Sequence, residues 1–203
     1  MNKYLEFLRK IKSVAFATTD GQNPHVRIAD VMLVEDDQLF FLVPRGKPFY
    51  RQLKQNPRLA LVGMDRTYKS VRITGNIEFV DRSYVDKIFE ANPMMNDLYG
   101  GEKRDILEAY RMKSGVGDVF DLSVTPPFRE RFAFGEETVN SVGYRINSEC
   151  KSCGDCIDAC PESCIVEGET YSINGTNCLE CGRCMEVCNF DAIDAPQAFD
   201  NVV

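Results

Sequence analysis

The chain has 203 residues, enough for one large domain or two smaller ones, and 44% of them are hydrophobic, as in a globular protein. No apolar run approaches the length that crosses a bilayer, and residues 1–20 lack the continuous apolar core of a signal peptide. We therefore expect a cytoplasmic protein with no membrane partner. The net charge of −7 and the lack of a basic stripe argue against nucleic acid as a partner.

The charge is divided unevenly along the chain. Residues 1–145 hold 20 acidic and 22 basic residues, a formal charge of +2, whereas residues 146–203 hold 11 acidic and 2 basic residues, a formal charge of −9; the two values sum to −7. Such an acidic surface is either simply solvated or docks a basic redox partner or the larger domain of the same chain.

Residues 1–145 have the pattern of short strands joined by tight turns, with few helices. The spacing of Leu5, Leu8 and Ile11 predicts an amphipathic opening helix, and Asp20-Gly21 predicts a hairpin turn. In chain order, the predicted elements are helix 2–12, strands 13–18, 25–34 and 38–43, helix 47–55, strands 58–64 and 70–80, helices 83–92 and 102–113, and strand 118–124. Five or six antiparallel strands of this kind predict a small closed barrel.

Three motifs in these elements carry a resemblance to a known family. They are P-x-V-R in the second strand, R-G-K in the turn before the second helix, and V-R-x-x-G in a later strand. Residues 4–80 resemble the FMN-binding split barrel of the pyridoxamine-phosphate-oxidase-like superfamily, with looser similarity to residue 124. The resemblance implies a mostly β split barrel with flanking helices, which we assign to residues 1–140, and it implies FMN as a cofactor.

The FMN phosphate is a dianion and needs cations and free N–H donors. Arg45 and Lys47 lie in a turn at the start of a predicted helix, where the helix dipole favours an anion. The resemblance implies that Arg45 and Lys47 hold the phosphate, that Arg27 lies on a strand bordering the flavin, and that Arg72 lies near its ring system. These four residues are the candidate FMN contacts.

Alternatives stay open in this region. The family often has a hydroxyl residue where Val43 and Pro44 stand, so one phosphate hydrogen bond is missing, and deazaflavin or haem are alternatives to FMN. His25, the only histidine, is either a proton donor beside a flavin or an edge-strand side chain with no catalytic part. The sequence identifies no catalytic residue.

Eight of the nine cysteines form one pattern that occurs twice, C-x2-C-x2-C-x3-C. The first run is Cys150, Cys153, Cys156 and Cys160, and the second run is Cys178, Cys181, Cys184 and Cys188. This spacing is the bacterial ferredoxin run, in which three thiolates of a tight loop bind one [4Fe–4S] cubane. Structural zinc is the rival interpretation, but one site of two CxxC pairs leaves four cysteines unexplained unless a second zinc binds them. Disulfides would need an oxidising compartment.

Residues 144–203 resemble the two-cluster bacterial ferredoxins, and we assign residues 141–203 to a small α+β domain of this kind. In that family the fourth cysteine of each run ligates the opposite cluster. The resemblance therefore implies one cluster on Cys150, Cys153, Cys156 and Cys188, and another on Cys178, Cys181, Cys184 and Cys160.

An offset of 28 residues superposes the two runs. It pairs Ile165 with Ile193 and Tyr171 with Phe199, which predicts a pseudo-symmetric core. Cys164, the ninth cysteine, is either a small buried hydrophobe or a substitute ligand for Cys160.

The two regions together predict a flavin- and iron–sulfur-dependent oxidoreductase that acts on a small-molecule substrate or exchanges electrons with a redox partner protein. A [4Fe–4S] cluster carries one electron, many organic substrates accept two, and a flavin handles both. The split-barrel resemblance also implies a homodimer, because the family usually buries its flavin at a two-fold interface.

Other functions are weighed against this one. Pyridoxamine phosphate oxidases pass electrons to oxygen, need no clusters and end in a region containing tryptophan, whereas this chain has no tryptophan. A nitro- or flavin-reductase is a closer enzyme alternative. A non-enzymatic electron carrier or redox sensor is the competing class, with the barrel as a platform for dimerisation and for binding flavin or haem.

Overall fold

The computed structural model describes residues 2–139 and 143–196. The chain forms two compact units. The first comprises Met1–Arg66, Ser70–Gly117 and Ala133–Thr138, and the second comprises Thr67–Lys69, Asp118–Phe132 and Val139–Val203. The domain boundary at residue 140 stays a prediction, and the second unit also includes Asp118–Phe132, which the sequence assigned to the barrel.

The helices of the first unit are mostly short. They are α1 (Lys3–Ile11), α2 (Pro48–Gln55), α3 (Ser83–Ala91), α4 (Met95–Tyr99) and a 3₁₀ helix (Gly101–Ile106). Helix α1 begins where the Asn2 side chain accepts hydrogen bonds from the N–H groups of Tyr4 and Leu5, at 3.0 and 3.4 Å. No helix in the described parts of the chain is both long and apolar enough to cross a membrane.

The central element is a curled antiparallel sheet. Its strands are β1 (Ser13–Thr19), β2 (Pro24–Asp30), β3 (Leu33–Glu35), β4 (Gln38–Pro44), β5 (Arg58–Met64), β6 (Lys69–Phe79), β7 (Leu107–Asp121) and β8 (Phe128–Phe134). They are ordered β2-β1-β5-β6-β7-β4-β3, with β8 paired to β7. Because β2 also approaches β4, the sheet curls into a half-barrel. This confirms the predicted mostly β split barrel with flanking helices, but in the described part of the chain the sheet has eight strands rather than five or six and is a half-barrel rather than a closed one.

The predicted helix at residues 102–113 is wrong. The 3₁₀ helix ends at Ile106, and residues 107–113 belong to the long strand β7, which also contains most of the predicted strand 118–124. Leu107 and Tyr110 are buried with the spacing of three that a helix face shows, but Ala109 and Met112 are buried too, and the four together fit a strand covered on both faces. Residues 107–112 pair with β4, from Leu39↔Met112 to Pro44↔Leu107, so this stretch is a strand.

The predicted strand 25–34 is interrupted. Strand β2 ends at Asp30 and β3 begins at Leu33. Between them, Val31 and Met32 are buried, and their backbone N–H groups donate to residues outside β1, the strand with which β2 pairs. The Val31 N–H donates to the Lys12 carbonyl and the Met32 N–H donates to the Phe40 carbonyl, each at 2.8 Å.

Two glycines allow β6 and β7 to approach closely. A Cβ atom at Gly75 would lie 2.4 Å from the Ser114 carbonyl oxygen, and one at Gly115 would lie 2.7 Å from the Thr74 carbonyl oxygen. Neither backbone atom has room to move within a sheet, so any side chain here would force the strands apart. The glycine of the V-R-x-x-G motif therefore has a packing role.

Aromatic rings fill the core of the half-barrel. Phe41 lies with its ring centroid 5.1 Å from that of Phe16 and 5.4 Å from that of Tyr110, which in turn lies 4.2 Å from Phe79. The rings of Phe16, Phe41 and Tyr110 are fully buried, and the burial of each such side chain stabilises the fold by roughly 1.5–3 kcal/mol. Burial also raises the pKa of Tyr110 far above its usual range.

The second unit contains a pair of similar halves. Its elements after residue 143 are β9 (Arg145–Ile146), α5 (Asp155–Ala159), β10 (Ile165–Val166), β11 (Ser172–Ile173), α6 (Arg183–Glu186) and β12 (Ile193–Asp194). Strand β10 pairs with β11, and β12 pairs with β9. Ile165 and Ile193 lie in one apolar core, as the 28-residue offset predicts, whereas Phe199, the expected counterpart of Tyr171, lies outside the described residues.

Candidate functional site

The cysteines of the two runs line two separate cavities, four to a cavity. One cavity is lined by Cys150, Cys153, Cys156 and Cys188, and the other by Cys160, Cys178, Cys181 and Cys184. Each cavity takes three thiols from one run and the fourth from the other run, which is the crossed grouping that the ferredoxin resemblance implies. Among residues 2–139 and 143–196, no three His, Cys, Asp or Glu side chains converge as around a single metal ion.

Backbone N–H groups point at the sulfurs in both halves. The N–H of Ser152 donates to Cys150 Sγ at 3.4 Å, and the N–H of Glu180 donates to Cys178 Sγ at 3.3 Å. Ser152 and Glu180 are related by the 28-residue offset and both have a positive φ, of 53° and 57°. The same backbone turn therefore recurs in the two loops, and its N–H groups favour negative charge on the sulfurs.

The fourth cysteine of each run receives a matching bond. The N–H of Cys164 donates to Cys160 Sγ at 3.3 Å, and the N–H of Ala192 donates to Cys188 Sγ at 3.4 Å. Gly154 (φ 94°) precedes helix α5 in the first loop, and its counterpart in the second loop precedes α6 in the same left-handed conformation. Glycine adopts this conformation without strain.

Burial opposes ionisation of several of these thiols. It raises the pKa of Cys184 to about 11, and it raises the pKa of Cys156 as well. The Ser152 N–H, by contrast, lowers the pKa of Cys150. Buried thiols of this kind become thiolates when a metal supplies compensating positive charge, so metal binding releases protons.

Cys164 lines the second cavity beside Cys160. It is buried, and burial raises its pKa to about 12. It therefore stays a neutral thiol in the metal-free chain, as a small hydrophobe would, while its place on the cavity wall keeps the substitute-ligand interpretation open.

A second type of site lies on the first unit, in a cavity of about 680 Å³. Its walls come from β2, the end of β4, the start of α2 and α4. Arg27, Lys47 and Gln52 are among its polar lining residues, and Phe49 and Leu42 are among its apolar ones. The volume and the mixture of an apolar wall with a few polar groups are typical of sites for small molecules.

Arg27 is held rigidly on the wall of this cavity. Its guanidinium donates to Thr18 Oγ1 and to Gln52 Oε1, both at 2.7 Å, and lies 4.4 Å from the centre of the Phe49 ring. The Thr18 hydroxyl also donates to Gln52 Oε1, at 2.8 Å. Partial burial lowers the pKa of Arg27, but a guanidinium keeps its charge at neutral pH. The cavity therefore contains a fixed cation.

Lys47 lies at the other polar end of the cavity, at the N-cap of α2. No side chain caps this helix, Pro48 occupies its first position, and its first turn contains no acidic residue. The positive end of the helix dipole is therefore not compensated by an acidic side chain of its own first turn. A lysine and an uncapped helix start fit a phosphate group, such as the one that FMN carries.

The other two candidate FMN residues lie apart from this cavity wall. Arg45 is half exposed and pairs with Glu108 at 3.0 Å, and Arg72 lies on β6 opposite Val62 of β5. Neither is among the described residues that line the cavity. His25 does line it, and its Nε2 lies 2.9 Å from Asp20 Oδ2.

Sequence reasoning missed Gln52 as a site residue. Phe49, Gln52 and Leu53 are the buried residues of α2, a spacing of three and four that places them on one helix face. A glutamine on an otherwise apolar face is a signal that could have identified it, because a buried amide needs hydrogen-bond partners.

Comparisons with known proteins bear on both sites. Residues 1–115 match the family described as pyridoxamine 5'-phosphate oxidase. The chain belongs to this family. Residues 143–189 match the 4Fe-4S dicluster domain. Together the two matches confirm both resemblances and indicate an iron–sulfur redox protein on a split-barrel fold.

Individual relatives of this pyridoxamine 5'-phosphate oxidase family member agree with these matches. A NimC/NimA family protein from Clostridium acetobutylicum is 25% identical, with a TM-score of 0.57 over 64% of this chain and 89% of that chain. A second protein from Clostridium acetobutylicum, related to general stress protein 26 of B. subtilis and described as of the pyridoxinephosphate oxidase family, is 15% identical, with a TM-score of 0.50 over 66% of this chain and 95% of that chain. At that identity it shows the fold alone.

The cysteine region has a curated relative of its own. A ferredoxin from Butyribacterium methylotrophicum is 46% identical over 35 residues, which make up 17% of this chain and 64% of the ferredoxin. The chain therefore spans less than two thirds of the length of that relative.

Proposed function

We propose that this protein is an oxidoreductase that holds two [4Fe–4S] clusters and an FMN. The clusters would exchange single electrons with the FMN, and the FMN would act on a small substrate. The observation that carries the proposal is the grouping of eight thiols around two cavities, four to each. A [4Fe–4S] cubane takes four cysteine thiolates, so the number and grouping of the thiols support two such clusters.

The chain prepares both cluster sites in the same way. Cys150, Cys153, Cys156 and Cys188 would hold one cluster, and Cys160, Cys178, Cys181 and Cys184 would hold the other. Backbone N–H groups 3.3–3.4 Å from four of these sulfurs stabilise negative charge on them. Ile146, Ile165 and Ile193 pack around the cavities and keep water away.

The barrel cavity provides the groups that FMN needs. Lys47 and the uncapped start of α2 would hold the phosphate, and Arg27 would present its fixed guanidinium to another polar part of the molecule. Arg45 and Arg72 stay proposed contacts. When bound, FMN supplies the conversion between single electrons and electron pairs that joins cluster chemistry to organic substrates.

A homodimer is part of the proposal. Val26 and Ile28 on β2 are 74% and 68% exposed, and Met64 on β5 is 57% exposed. Ala15 of β1 pairs with Ile28 on one side and with Val62 on the other, so these apolar residues form a continuous face across three strands. An exposed apolar face of this kind is typical of a surface that a second copy covers.

Light scattering tests the homodimer. We expect twice the chain mass for the wild-type protein and half of that value for Ile28→Asp, because a charge in the apolar face prevents association. Val166→Asp, at a residue 54% exposed in the second unit, is the matched control and should leave the mass unchanged. A monomeric wild type would refute the dimer.

Anaerobic purification tests the function as a whole. We expect about eight iron and eight acid-labile sulfide per chain, at four of each per cluster, and a yellow cofactor that is released on denaturation and identified as FMN. Protein that holds clusters but neither binds nor reduces FMN would refute the FMN-dependent enzyme. Colourless protein without acid-labile sulfide would refute the proposal that the chain holds [4Fe–4S] clusters.

A further inference from the structure

A nearly buried charge network lies beside the loop that lines the second cysteine cavity. Glu180, located between Cys178 and Cys181, accepts from Arg131 Nη2 at 2.7 Å and pairs with Arg129 Nη1 at 3.1 Å. The side chains of Glu180, Arg131 and Arg129 are only 17%, 11% and 14% exposed. Charges so little exposed interact much more strongly than surface ion pairs.

Both arginines lie on β8. Within the second unit, hydrogen bonds join the start of β8 to the residues just before Cys178 in the same loop. The Arg129 N–H donates to the Thr176 carbonyl at 2.6 Å, and the Asn177 side chain donates to the Pro127 carbonyl at 3.2 Å. Arg129 also pairs with Asp118 at 3.2 Å. The guanidinium groups are therefore fixed beside the loop.

The network is not arranged for stability alone. Arg129 Nε is buried and has no hydrogen-bond partner among the described residues. An unsatisfied buried N–H is destabilising, and well-packed apolar side chains of similar volume often stabilise a protein better than a buried ion cluster. An unsatisfied group of this kind calls for an explanation other than stability.

The first loop provides an internal comparison. Its residue at the corresponding position is Ser152, which has the same left-handed backbone and the same N–H···S bond as Glu180. The two loops therefore share a backbone and differ in charge at this position, where one has a hydroxyl and the other a carboxylate held by two guanidinium groups.

We propose that Glu180, Arg131 and Arg129 set the reduction potential of the cluster on Cys160, Cys178, Cys181 and Cys184, and so make the two clusters inequivalent. The inference rests on the cluster ligation proposed above. Reduction adds one negative charge to a cluster. The Glu180 carboxylate opposes that charge and the two guanidinium groups favour it, so each substitution has a definite sign.

A potentiometric titration of the anaerobically purified full chain tests this. Dithionite supplies one electron to each cluster, and the paramagnetically shifted NMR signals of the cysteine β-protons report each cluster separately. For Arg131→Gln we expect the reduced-to-oxidised ratio of the second cluster, at a fixed ambient potential, to fall about tenfold, which equals about 59 mV for a one-electron couple. For Glu180→Gln we expect the ratio to rise.

Matched variants separate charge from structure. Arg131→Lys keeps the charge and should titrate within about threefold of the wild type, and the double variant Arg131→Gln/Glu180→Gln, which removes one charge of each sign, should do the same. Arg145→Gln, at an arginine whose side chain is 70% exposed, should shift neither cluster. Ser152→Glu should lower the ratio of the first cluster only.

Two results would overturn the inference. Arg131→Gln and Glu180→Gln proteins that hold full iron and titrate like the wild type would show that the network only positions β8. A double variant shifted as far as Arg131→Gln would show that charge is not the cause. Wild-type protein without iron and sulfide would instead refute the cluster ligation itself.

Discussion

The two cysteine cavities and the barrel cavity are built in opposite ways. At each cysteine cavity, three thiols come from a stretch of seven residues, and the loops that hold them repeat after 28 residues. The barrel cavity instead joins β2, β4, α2 and α4, and its Arg27 depends on Thr18 and on Gln52 of another element. A site encoded by local spacing can be identified from the sequence, whereas a site assembled by packing depends on the fold.

The largest expected effect concerns the crossed fourth cysteine. Cys160→Ala, in a Cys164→Ala background that removes the substitute thiol, should lose the cluster of the second run, and Cys188→Ala should lose the cluster of the first. In each case iron falls by about half, because one of two [4Fe–4S] clusters is lost. Iron analysis and EPR of the reduced protein measure this.

Cys164→Ala alone is the control for that experiment and should keep full iron, since Cys164 is a buried neutral thiol. If Cys160→Ala instead loses the cluster on Cys150, Cys153 and Cys156, the crossed grouping is incorrect.

The next effect concerns the phosphate of FMN. Lys47→Ala should weaken FMN binding by roughly 1–3 kcal/mol, because a charge-assisted contact at the start of α2 is lost. Fluorescence titration of the apoprotein with FMN gives the dissociation constants. Arg51→Ala is the matched control, since Arg51 is an exposed cation on the same helix and does not line the cavity. If Lys47→Ala and the control variant lose the same FMN affinity, the phosphate is not bound at the start of α2.

A smaller effect is expected at Gln52. Gln52→Ala removes the acceptor shared by Arg27 and Thr18 and should lower the free energy of unfolding by about 1–2 kcal/mol, with weaker FMN binding as Arg27 loses its support. Urea denaturation measures the first quantity. Gln55→Ala, at an exposed residue of the same helix, should stay within about 0.5 kcal/mol of the wild type.

The smallest effect is expected at His25. Its pair with Asp20 is partly exposed, so His25→Gln should leave the unfolding midpoint and the rate and pH profile of FMN reduction unchanged. A slower reduction with an altered pH profile would make His25 a proton donor and would add a catalytic residue to the barrel cavity.

Much of the fold follows from local patterns. The hairpin at Asp20-Gly21, the helix that ends before Asn56-Pro57 and the alternation in β5 and β6 lie where the sequence predicts them. The error at residues 102–113 has a physical cause, because burial on both faces of β7 hides the alternation of a strand, while Leu107 and Tyr110 have the spacing of three that a helix face shows. Only the hydrogen bonds to β4 distinguish the two.

The candidate barrel site was only partly predictable. The sequence named Arg27 and Lys47, which line the cavity, and also Arg45 and Arg72, which do not. Local sequence gives the charge of a side chain but not the direction in which its strand or turn presents it.

The sequence by itself determined that two runs of cysteines form repeated loops, because covalent reach brings three thiols of each run together whatever the rest of the chain does. The crossed place of each fourth thiol was implied by the ferredoxin resemblance, whereas only the tertiary structure decided that Gln52 supports Arg27 and that the arginines of β8 pair with Glu180. The contacts of Gln52 with Arg27 and of Glu180 with the two arginines join residues 25 to 51 positions apart along the chain. They exist because burial of apolar side chains folds distant segments together, and no local spacing encodes that.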